Sequence, residues 1–205
     1  MKKTLYSKGE TERLVLLALL TALVAVLSYF GGFIKIGGLA SVSLTLIPVV
    51  LGSALLGPLS GAWLGGVAGA IFFATADAAF WFGLSIPGTI VTVMVKGILS
   101  GYLAGLTYKL LEKFNRYLAV LAAAVVCPVV NTGIFLLGCV VFFLDTVKAM
   151  ASSEGISIFA YLIVFFVGLN FVFELVFNII LSPAILRIIN IRKPNKTAEE
   201  TKKQV

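Results

Sequence analysis

The sequence has no histidine, only two cysteines among 205 residues, and a charged fraction of just 12%. Each shortage excludes something. Without histidine, the commonest general base and a principal zinc ligand are missing. Cys127 and Cys139 stand twelve residues apart in one apolar segment, about 18 Å along a helix at ~1.5 Å per residue, too far to pair with each other. No Gly-x-x-x-x-Gly-Lys-Ser/Thr run is present, so the chain has no phosphate-binding loop for ATP. No recognisable catalytic constellation is left, and a non-enzymatic protein without a cofactor is expected.

The scarcity of charge also identifies the solvent. Ordinary globular chains carry roughly a quarter charged residues, whereas this one is 60% apolar. Most of it must face lipid. The net charge of +7 does not mark a nucleic-acid binder, because the basic residues gather at the two ends and in one central loop.

Leu14 to Phe30 carries no charge and is long enough to cross a ~30 Å hydrocarbon core. A cleaved signal peptide is the alternative for this run, opposed by Glu10, Glu12 and the absence of a small-x-small cleavage site. Ile36 to Ala76 is again uncharged and about twice a bilayer thickness in length, so it must fold back once, at Gly57-Pro58. That gives spans near Val42 to Leu56 and Leu59 to Phe80. Pro87 opens a fourth span, about Gly88 to Tyr108; a fifth runs from about Tyr117 to Leu144. A polar loop, Asp145 to Ser157, leads to a sixth, about Ile158 to Ile189, which Pro183 could kink or shorten.

The expected fold is therefore an all-α membrane protein of six transmembrane helices. Residues 1–13 form an N-terminal segment, 14–190 the helical domain, and 191–205 a basic tail without apolar periodicity, expected to be disordered. Thirteen Lys and Arg residues fall on the side of the two termini, against Lys35 and Lys148 on the other. The positive-inside rule then places both termini in the cytoplasm. Lys96 is left over, inside the membrane.

A charge there costs about 2.5 to 3.5 kcal/mol on the insertion scale, so Lys96 and Glu174 must face the bundle. Thr89, Thr92, Lys96 and Ser100 share one helix face; Asn170, Glu174 and Asn178 recur every four residues on the last span; Asn131 and Thr132 follow Pro128 on the fifth. One reading is mutual neutralisation of Lys96 and Glu174, with the asparagines as interhelical glue. The other is a solute cavity in which Lys96 binds an acidic group and the amides and Glu174 bind polar edges. Asp77, Trp81 and Phe82 would line or cap it, although an interfacial aromatic belt also accounts for Trp81. Gly31 to Gly38, with paired glycines around an apolar centre, reads either as a lid or as a re-entrant connector. Gly61, Gly65 and Gly69, and likewise Gly97, Gly101 and Gly105, are spaced by four and predict close helix packing.

With Ala18-Leu19-Leu20-Thr21-Ala22, the run VSLTLIPVVLGSALLGPLSGAWLGG from Val42 to Gly66, and PVVNTGIF from Pro128 to Phe135, the chain resembles the substrate-capturing S components of energy-coupling-factor vitamin transporters. The resemblance implies a six-helix subunit of a prokaryotic plasma membrane that binds a vitamin or related micronutrient near the outer surface. It implies partners too: a transmembrane coupling subunit, met through Ala18 and Ala22, and two ATPase subunits that supply hydrolysis. Lys96, Thr92, Asn131, Asn170, Glu174, Asp77 and Trp81 are the candidate solute-binding residues. A carboxylate-bearing solute suits Lys96, and Glu174 leaves room for a zwitterion; pantothenate, a pyridine or pyrimidine vitamin and a folate-like compound all stay open. The competing function is a stand-alone secondary transporter using Lys96 and Glu174 as an ion or proton relay.

Overall fold

A computed structural model describes residues 8–31 and 44–192, excluding the side chains of residues 8 and 165–170. The Gly31 to Gly38 lid or connector, beyond Gly31 itself, and the tail after Arg192 lie outside the described residues. The helices are α1 (Lys8–Gly31), α2 (Leu46–Leu56), α3 (Pro58–Phe72), α4 (Ala76–Leu84), α5 (Ile86–Leu111), α6 (Arg116–Phe142), α7 (Leu144–Ser153), α8 (Ile158–Tyr161) and α9 (Gly168–Arg192), with a π-helical stretch, Leu162–Val167, joining the last two. No strand occurs among the described residues. The chain is an all-α membrane protein: α1, α5, α6 and most of α9 are each long and apolar enough to cross a bilayer.

Successive spans alternate in direction. Arg13 at the start of α1 donates from Nη2 to the Leu56 carbonyl at the end of α2, at 2.9 Å. Gly57, at φ +100°, turns the chain directly into α3, a backbone conformation that glycine adopts without steric penalty. Arg116 at the start of α6 donates to Asn190 Oδ1 near the end of α9, at 3.2 Å. One end of the bundle therefore gathers Arg13, Lys109, Arg116 and Arg192, and the positive-inside rule assigns that end to the cytoplasm. At eleven residues, or about 16 Å at the helical rise, α2 reaches only half the bilayer depth.

The glycine stripes of α3 and α5 meet each other. A Cβ at Gly65 would fall on the Gly97 carbonyl, one at Gly101 on the Gly61 carbonyl, and one at Gly105 on the backbone of Pro58. Backbone therefore lies against backbone along this antiparallel pair, where dispersion contacts act at shortest range.

Two expectations need correction. The third span does not continue to Phe80: α3 stops at Phe72 and α4 departs at 82°. The cause is local. Thr75 is extended and donates from Oγ1 to the Phe72 carbonyl at 2.7 Å, and Asp77 stands in the first turn of α4, where the helix dipole favours a carboxylate. Nor is Asp145 to Ser157 a plain loop. Its first part is the amphipathic α7, with Val147 and Ala151 buried and Lys148 bridging outward to Asp145; Gly155, at φ +67°, ends it. Pro183 does not stop α9, because Ser182 Oγ donates to the Ile179 carbonyl at 2.8 Å and satisfies the acceptor that proline's missing N–H strands.

Replacing Gly97 with valine should lower the thermal unfolding midpoint in detergent by several degrees, since overpacking costs about 1–3 kcal/mol and a carbonyl cannot rotate away. Gly83→Ala, whose added carbon meets nothing within 4 Å, should leave the midpoint unchanged or raise it. Equal effects of the two would contradict the seam.

Candidate functional site

Lys96 lies ten residues into α5, about 15 Å along the helix from its outer end. Its depth follows from two start signals: Ser85 Oγ accepts the Gly88 N–H, and Pro87 sits in the first turn. The ammonium stands over two rings, with Nζ at 5.6 Å from the Phe72 centroid and 4.9 Å from that of Phe135. Glu174, 5% exposed on α9, is the acidic group whose charge acts on it most strongly. A desolvated cation over an aromatic face gains up to about 2 kcal/mol. Two faces and a carboxylate thus offset the membrane cost of the charge.

Beside Lys96 is a cavity of ≈ 70 Å³ between α1, α2, α3, α5 and α6. Its polar lining comes from Ser28, Thr45, Thr75, Lys96, Ser100 and Asn131; Val49, Phe72 and Val93 supply apolar wall. Ser100 Oγ donates to the Gly97 carbonyl at 2.9 Å, whereas Ser28 Oγ is buried without a partner among the described residues. Small-molecule sites are typically about 300–1,000 Å³. The space bounded by described residues therefore fits one anionic group rather than a whole solute. Gly31, the last described residue of α1, also lines it.

The candidate residues divide by position. Lys96 and Asn131 line the cavity together, and Glu174 acts on Lys96 from α9. Thr92 is buried against Gly138 at the α5–α6 interface, its Oγ1 without a partner among the described residues, and does not line that cavity. Thr89 is spent on structure, its one hydroxyl proton shared between the carbonyls of Trp81 and Ser85. Asn178 donates to the Glu174 carbonyl at 2.8 Å. Asp77 and Trp81 lie on α4, outside the cavity wall. Trp81 nevertheless reaches the site through Phe135, at 5.3 Å between ring centroids, and packs on Phe143 at 5.2 Å. The backbone of Asn170 belongs to α9, but its side chain lies outside the described residues. Ala18 and Ala22 are exposed on α1, which buries the smallest share of its length among the four long spans.

Phe72, Phe135 and Ser28 went unseen in the sequence. Phenylalanines at lipid-facing and cavity-facing positions of an apolar helix look alike, and a lone serine among small residues reads as packing. A signal did exist for Phe135, four residues after Asn131 on α6 and so on the same face.

Across residues 12–186, from the start of α1 into α9, the chain matches a family model described as "ECF transporter, substrate-specific component". No curated protein and no solved structure matches it significantly.

Phe135→Leu removes a ring from Lys96 and from Trp81 together. It should destabilise the protein by about 1–3 kcal/mol in thermal or denaturant unfolding, combining a lost cation–π face and a lost edge-to-face pair. Phe159→Leu, at a ring 73% exposed, should have no measurable effect; parity of the two variants would remove Phe135 from the account.

Proposed function

Because the chain belongs to the family of ECF transporter substrate-specific components, we propose that it captures a vitamin or related micronutrient carrying an anionic group, held by Lys96. As a member of that family it is a multi-pass membrane subunit of a transporter rather than an enzyme, and it works with other ECF subunits on a small-molecule substrate. The observation that carries the finer reading is the half-buried ammonium between Phe72 and Phe135 at the edge of a polar-lined cavity. A ring face attracts the cation but accepts no strong hydrogen bond. An entering carboxylate or phosphate would gain short charge-assisted bonds from the same N–H groups. Asn131 and the Ser28 hydroxyl are the neighbouring groups that would orient it, and Glu174 would favour a solute that also presents a donor.

The rest of the reading concerns the partners. Ala18 and Ala22, small and outward-facing on α1, are the proposed contact with a transmembrane coupling subunit. Two ATPase subunits would supply hydrolysis, and the assembly would sit in a prokaryotic plasma membrane. The electrostatic link between Glu174 and Lys96 favours one second reading, a self-sufficient carrier with these two groups as an ion or proton relay.

Lys96→Ala should weaken binding of the native solute by at least about tenfold, equivalent to about 1.4 kcal/mol, with expression retained. Trp81 emission in a Trp63→Phe background reports the binding, because Trp81 packs on the ring that covers Lys96. Undiminished affinity would refute the anion-pocket assignment. In proteoliposomes, uptake should require the ATPase partners; uptake by the chain alone, abolished by an uncoupler, would establish the relay instead.

A further inference from the structure

At the basic end of the bundle, remote from Lys96, a cavity of ≈ 590 Å³ lies between the start of α1, the α2–α3 turn and the end of α5. Its polar groups include Arg13, Ser53, Ser60, Tyr108, Lys109 and Glu112. Tyr108 is 2% exposed, and its hydroxyl, without a close hydrogen bond among the described residues, interacts with Glu112 at the same cavity. A buried hydroxyl left unpaired costs about 1–3 kcal/mol. A headgroup oxygen placed there would accept from it.

A second cavity of ≈ 260 Å³ adjoins the first and shares Arg13, Leu56 and Ser60 with it. Leu14 and Leu17 add apolar wall, and Glu10 stands at its rim. A polar chamber opening into a partly apolar gutter is the negative of an amphiphile. The chamber offers two cations, Arg13 and Lys109, and one anion, Glu112, which together match a headgroup carrying both a phosphodiester and an ammonium. Exposed Leu59 marks the nearby surface of α3 as lipid-facing.

We propose that this pair of cavities binds one aminophospholipid, with its phosphate against Arg13 and Lys109, its amine toward Glu112, Tyr108 bonded to the headgroup, and an acyl chain along Leu14 and Leu17. The site couples α1, the α2–α3 turn and α5 through a lipid of the cytoplasmic leaflet. It is separate from the solute cavity and does not depend on which solute is carried.

The test is native mass spectrometry of the purified full chain, titrated separately with phosphatidylethanolamine, phosphatidylglycerol, phosphatidylcholine and inorganic phosphate. One phosphatidylethanolamine should be retained in preference to the others. Tyr108→Phe and Glu112→Gln should each lower its retention about tenfold, with bound phosphatidylethanolamine raising the unfolding midpoint of the wild type more than of either variant. Equal retention of all three lipids would overturn the headgroup assignment, and retention of inorganic phosphate as strong as that of lipid would make the site a free-anion site. Tyr108→Phe that stabilises the protein with retention unchanged would show that the hydroxyl meets no lipid. Should Tyr108→Phe fail to fold, Glu112→Gln and Lys109→Gln read the same site from its surface, and retention by both at the wild-type level would reject the proposal.

Discussion

One charge within the membrane constrains everything around it. Lys96 sits at a depth where lipid would penalise it, and the bundle answers from several helices. Phe72 on α3 and Phe135 on α6 present their faces to the ammonium, and Glu174 on α9 contributes opposite charge. Each of these acts from a different helix, so the helices must keep their relative positions. The rigid element that permits this is the α3–α5 seam, where glycine meets glycine and the helices cannot slide without backbone clashes. Phe72 projects from the helix fixed by that seam, and Lys96 stands next to Gly97, one of its contacts.

The seam also separates the ends of the molecule. Toward the outer end, α4 and α7 leave the span directions at steep angles, and an aromatic and aliphatic cluster of Trp81, Phe135, Cys139, Val147 and Tyr161 closes over the site. Toward the basic end the core is aliphatic and small, built from Val120, Ala123, Ala124 and Ile189, with Arg13 capping the Leu56 carbonyl at the end of α2. The proposed solute site thus belongs to one pole, and the basic residues to the other. The lateral surface of α1, with Ala18, Leu19 and Ala22 exposed, serves neither and is open to another membrane helix.

Much of this was legible in the sequence because the membrane makes the rules severe. Uncharged runs of fixed length, a Gly-Pro turn and a lopsided distribution of lysine and arginine suffice to give an all-α membrane fold with its long apolar helices in alternation. An intramembrane lysine needs no structure to be singled out. Where the sequence reading failed, weaker forces decide. The bend at Thr75 depends on one side-chain hydrogen bond and a first-turn aspartate, signals too small to interrupt an apolar run read by composition. The helix at Leu144–Ser153 was hidden because a short amphipathic element with polar residues looks like a loop when only hydrophobic length is counted. Phe72 and Phe135 could not be told from sixteen phenylalanines without knowing which faces turn inward. Thr92 shares the Lys96 face of α5 by spacing but packs against Gly138 of α6, a contact that spacing within one helix does not reveal.

The central claim, that Lys96 is held ready for an anion, is tested most directly by an experimental structure with the native solute bound. The account predicts an anionic oxygen of that solute about 2.7–2.9 Å from Lys96 Nζ, the range of a charge-assisted hydrogen bond, with the Phe135 ring displaced from the ammonium. A bound solute with no atom in contact with Lys96, and the ammonium still resting between Phe72 and Phe135, would contradict it.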